Sequence, residues 1–167
     1  MFSILFSIPF LGILVIIQSA VINRMSLLHG TADVVLLVIT AWALRPRVKT
    51  HWQWCIVGGF LVSLYSSLPI IVFPLGYLVA TGMAVYLRKR VWKAPFLAML
   101  SVVFITTILI HIITVFTLGI EGTLLPFLDV LNQVTLPSLL LNLVLAVPVY
   151  AILGDIADRF YPEELET

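Results

Sequence analysis

Apolar residues run through this sequence in long stretches, and charged residues are confined to the breaks between them. Six stretches have the length of helices packed in lipid: residues 2–22, 27–44, 54–68, 70–87, 94–118 and 137–157. At 1.5 Å per residue the first rises ~31 Å, about the hydrocarbon thickness of a bilayer. Counted only from Asp33 to Leu44, the second would rise just ~18 Å, so residues 29–33 are expected within the membrane boundary as a loosened turn. Pro46 and Pro69 stop helices, and the third and fourth stretches read as a tight hairpin. Gly58-Gly59 in the third, with Ala80 and Ala84 in the fourth, predict close helix packing. Trp52 and Trp54 stand where interfacial aromatics belong. Residues 126–135 predict a short amphipathic helix lying in the interface, with Phe127, Leu128, Leu131 and Val134 on its apolar side. The last span then opens at Pro137, suited to the first helical position, and bends at Pro148.

Composition excludes an ordinary soluble domain. The 167 residues are 62% apolar and only 10% charged, with a mean hydropathy of +1.18. The expected fold class is an all-α membrane protein, a bundle of six transmembrane helices forming one domain over residues 1–167. A net charge of +1 gives no clustered basic face for nucleic acid. The N-terminus is apolar from the start, unlike a cleaved signal with its basic leader, and is read as a retained first span.

Charge then orients the bundle. Arg88, Lys89, Arg90 and Lys93 fall within six positions between two spans. Six crossings put them on one side with Arg45, Arg47, Lys49 and Arg159, leaving Arg24 alone on the other. By the positive-inside rule that side is cytoplasmic, and so are both termini. The cluster itself reads as a topological loop or as a docking or anionic-lipid patch.

Few polar groups fall within the spans: Gln18, Asp33, Thr106, Thr107, His111, Thr114 and Asn142. Asp33 stands just before an unbroken apolar run, either as an N-cap or as an ionisable group facing a cavity or partner. His111 shares a helix face with Thr107 and Thr114, a pattern for interhelical hydrogen bonds or for a ligand or proton site. Catalytic pairs, phosphate-cradling glycine loops and intramembrane carboxylate chains are all lacking in the sequence, so no enzyme, no cofactor and no metal is expected. The lone Cys55 allows no intrachain disulfide, and His29, His51 and His111 have no metal-ligand spacing. The residues expected to touch a partner are Phe127, Leu128 and Leu131.

Residues 136–150, with Pro137, Asn142, Pro148 and Tyr150, resemble the last span of the rod shape-determining protein MreD family. Asp33 before Val34 resembles that family's acidic opening of its second span. The proline-broken pair of short spans ending in Arg88-Lys89-Arg90 fits as well. The chain departs from the pattern at Ser63, where the family often has an acid, and at Ile70-Ile71, where a glycine is usual. The resemblance implies a scaffold in the bacterial inner membrane that binds an MreC-like single-span protein and regulates peptidoglycan synthesis for cell shape. It implies wider association with a RodA-type glycosyltransferase, a penicillin-binding transpeptidase and MreB-like filaments. It also implies a fold similar to the vitamin-binding subunits of energy-coupling-factor transporters. That likeness supplies the alternative, a small-molecule substrate-binding subunit, whose outer pocket would draw on Arg24, His29, Asp33, Glu121, Asp129 and Asn132.

Overall fold

The computed structural model describes residues 2–20, 27–90, 94–123 and 125–160. Among them the chain is helical and holds no strand. The elements are α1 (Phe2–Ala20), α2 (Val34–Leu44), α3 (His51–Tyr65), α4 (Val72–Arg90), α5 (Pro95–Ile120), α6 (Phe127–Val130) and α7 (Leu136–Phe160), with a π-turn (Leu131–Thr135) joining the last two. Two helical runs are long and apolar enough to cross a membrane, α5 with 26 residues and Phe127–Arg159 with 33.

The bundle is arranged around its shortest full helix. All eleven residues of α2 are buried, and it packs against α1, α3, α4, α5 and α7. Its length is only ~17 Å, because the chain before Val34 does not continue as helix. Asp33 is the N-cap, its carboxylate accepting from Leu36 N at 3.0 Å. Small residues let the neighbours close in. A Cβ on Gly58 would meet Ile39 of α2, and one on Gly59 would sit 2.8 Å from Cα of Pro74. Ala80 and Ala84 of α4 are fully buried.

Large apolar side chains stand on the outer surface as well as in the core. Ile13 and Ile16 of α1, Phe104 and Phe116 of α5, and Leu140, Val144 and Val147 of α7 all stand exposed. A water-soluble monomer seldom carries an apolar surface of this extent. Trp52 is exposed, whereas Trp54 departs from the expected interfacial position. It is buried with its ring 4.5 Å from that of Trp42 and 5.5 Å from that of Phe10, so packing inside the bundle claims it.

The separate interfacial helix expected at 126–135 is not a separate element. Helical residues follow one another without a gap from Phe127 through the π-turn and past Pro137 to Phe160. Proline cannot donate to the carbonyl four residues back, here that of Gln133. The π-turn absorbs the mismatch, and His29 N supplies the missing donor to Gln133 O at 3.1 Å. α4 likewise outlasts its expected end and carries Arg88, Lys89 and Arg90 in its last turn, where cations suit the exposed carbonyls.

Candidate functional site

Several polar groups of the interior meet around the start of α2. Residues 29–33 run beside the π-turn and the first turns of α7, and the backbone N–H groups of residues 29, 31 and 33 are given to them. His29 N donates to Gln133 O at 3.1 Å, Thr31 N to Ser138 Oγ at 3.0 Å and Asp33 N to Asn142 Oδ1 at 2.7 Å. Gly30 permits the approach, since a Cβ there would stand 2.6 Å from Ser138 N and 2.8 Å from Val134 O.

The same side chains bind the rest of the bundle to this seam. Asn142, buried, also gives its amide N–H to Thr107 Oγ1 of α5 at 3.0 Å. Tyr77 of α4, fully buried, donates its hydroxyl to Asp33 and lies 2.7 Å from each carboxylate oxygen. Gln18 of α1 accepts from Val35 N at 3.0 Å, satisfying a first-turn donor of α2, and contacts the Asp33 carboxylate as well. His111 of α5 places Nδ1 3.0 Å from Thr135 Oγ1 in the π-turn. Thr114 turns its hydroxyl back to Ile110 O of its own helix, and Thr106 is buried without a hydrogen-bond partner. Asp33, His111 and Asn142 thus fall in one region, each fastening a different helix pair.

Beside this cluster is a cavity of about 290 Å³, walled by side chains from α1 to α5 and α7. Asp33, Gln18, Asn142, Thr107 and His111 contribute polar atoms to it, and Tyr65 and Phe73 supply aromatic faces. The outer residues expected to form a pocket are placed otherwise. His29, Glu121, Asp129 and Asn132 are exposed and do not line it, and Arg24 lies outside the described residues. Among the described members of that set, Asp33 alone lines the cavity. Tyr77, Ser138 and Thr135 were not distinguished by the sequence reading. A tyrosine or threonine within an apolar run carries no local sign of its distant partner.

At the opposite end, two arginines of the basic breaks are part of the fold. Arg88 Nη1 donates to Ala43 O at 3.0 Å and to Arg45 O at 3.2 Å, serving the last carbonyls of α2. Arg45 donates Nη2 to Tyr150 O at 3.3 Å and lies over the Tyr150 ring, 4.8 Å from its centroid. A Cβ on Gly154 would clash with that guanidinium. Lys89 and Arg90 are exposed, and Lys93 lies outside the described residues.

Of the apolar residues expected to meet a partner, Phe127 and Leu128 are 60% and 68% exposed. Leu131 is half-buried and, with Phe127, borders a cleft of about 60 Å³ against Ile108 and Ile112 of α5.

Comparison with family models, with curated proteins and with solved structures finds no match to this chain. Among the described residues there is no group of three or more His, Cys, Asp or Glu able to hold a metal ion.

Proposed function

We propose that this chain is a non-enzymatic scaffold of the bacterial cell-elongation machinery, similar to MreD, held in the inner membrane by six spans. It binds an MreC-like single-span protein and so organises or regulates peptidoglycan synthesis. The RodA-type glycosyltransferase, its transpeptidase and MreB-like filaments are the wider assembly in which it acts. The fold is read as similar to the vitamin-binding subunits of energy-coupling-factor transporters, with the basic end and both termini cytoplasmic.

The observation that carries this reading is the division of labour among side chains. Several interior polar groups fasten one element to another, as Asn142 does between the N-cap of α2 and α5. The exterior presents apolar side chains on α1, α5 and α7, and Phe127 and Leu128 extend that surface at the end far from the cations. Such a molecule is suited to holding other spans in a fixed arrangement. Lipid-facing and partner-facing surfaces are both apolar in a bilayer, where packing selects the partner.

Affinity purification of the tagged full-length chain from native membranes tests the reading. An MreC-like single-span protein is expected with it. Recovery of an energising ATPase pair instead would replace the scaffold with the substrate-binding alternative.

A further inference from the structure

The scaffold reading leaves the cavity beside Asp33 without a role, and its chemistry is specific. The wall combines one carboxylate, the amides of Gln18 and Asn142, the hydroxyls of Thr31 and Thr107, and the imidazole of His111. The remaining wall is apolar and aromatic, with Leu36, Val62 and Ile110 beside Tyr65 and Phe73. Among the described residues that line it there is no lysine or arginine. The described donors that reach Asp33 are the Tyr77 hydroxyl, the Leu36 and Val35 amides and Gln18, and all are neutral. They orient the carboxyl group but bring no positive charge, and a carboxyl buried in this way is ionised most readily when a cation stands beside it.

Size and wall chemistry define what fits. At about 290 Å³ the space lies at the lower limit of ordinary ligand pockets. Aromatic faces attract cations through the ring quadrupole. We propose that this cavity is a binding site for a small organic ammonium group on an apolar or aromatic body, with the cation at Asp33 and the body against Tyr65 and Phe73. The ammonium group belongs either to a free amine or to the headgroup of an aminophospholipid. His111 Nδ1 meets Thr135 Oγ1, which leaves Nε2 for a polar group of the ligand, as donor or acceptor according to the tautomer.

The test uses the purified full-length chain alone, so it stands or falls separately from partner capture. In detergent, thermal unfolding is followed with phenethylamine, benzylamine and choline, each against its uncharged alcohol or hydrocarbon analogue and against phenylacetate. In nanodiscs, phosphatidylethanolamine is compared with phosphatidylcholine. Saturable protection by an amine marks a free-amine site. Protection confined to phosphatidylethanolamine marks a headgroup site. Either is expected to weaken at least about tenfold in D33N, since a charge-assisted hydrogen bond is lost. T114F, whose hydroxyl bonds only its own helix, fills the cavity with Asp33 intact and decides the matter if D33N does not fold. Equal protection by amines and neutral analogues, no protection by any amine or lipid, or protection that survives T114F would overturn the proposal.

Discussion

Asn142 and Asp33, 109 positions apart, are joined by a 2.7 Å hydrogen bond from the Asp33 backbone N–H to the Asn142 side-chain oxygen. The bond is the last rung of the seam between residues 29–33 and α7, and it sets the point at which α2 begins. Because Asn142 also reaches Thr107, one side chain fixes α2, α5 and α7 relative to one another.

Replacing Asn142 with alanine therefore strands the Asp33 N–H and takes the donor from Thr107. An unsatisfied buried group costs about 1–3 kcal/mol, so N142A is expected to lose at least about 2 kcal/mol. Thermal unfolding of the purified protein measures it. Wild-type stability in N142A would remove the seam from its structural role.

Two glycines separate close approach from helix propensity. G30A forces a Cβ against the backbone of Val134 and Ser138 and is expected to destabilise by about 1–3 kcal/mol. In G82A the nearest atom is Trp52 Cη2 at 3.9 Å, so the change is neutral or stabilising by up to about 1 kcal/mol. Parallel unfolding curves compare the two.

Tyr77 and Asp33 form a pair whose coupling is measurable. Y77F removes the hydroxyl donor to both carboxylate oxygens, D33N removes the acceptor charge, and the double variant closes the cycle. Contacting residues in one network couple by about 0.5–3 kcal/mol. Additive single losses would show that the contact contributes nothing beyond its separate parts.

The basic cluster divides by role. R88A removes the donor to Ala43 O and Arg45 O and is expected to cost about 1.5–3 kcal/mol, as for hydrogen bonds to charged groups. K89A alters an exposed side chain and is expected to stay within about 0.5 kcal/mol. Urea or thermal titration of the two variants in the same detergent distinguishes them.

Glutamate at Phe127 or Leu128 tests the partner surface. Both side chains are exposed, so the charged variants are expected to insert and fold while co-purification of the single-span partner drops several-fold. Unchanged recovery would move the partner contact to another face.

The helical class and the presence of runs long and apolar enough to cross a membrane were legible in the sequence. Each follows from local composition or from a run of apolar residues longer than a soluble helix needs. Asp33 was legible as a cap because an acid directly before an apolar run has a nearby donor to accept from. The Phe127–Arg159 run was not, because Pro137 marks a helix start in sequence. The π-turn before it and the arrival of His29 at the freed Gln133 carbonyl are features of the tertiary structure.

What the sequence determined by itself is where helices form and which parts of the chain shun water, since both depend on neighbours a few residues away. Tertiary structure alone decided that Tyr77 meets Asp33, that Arg88 serves the end of α2, and that His29, Glu121, Asp129 and Asn132 stand away from the cavity. The physical reason is rotational. A helix surrounded by apolar neighbours has no strong hydrophobic stripe to fix which side faces where, so the few long-range hydrogen bonds and small-residue contacts set its register.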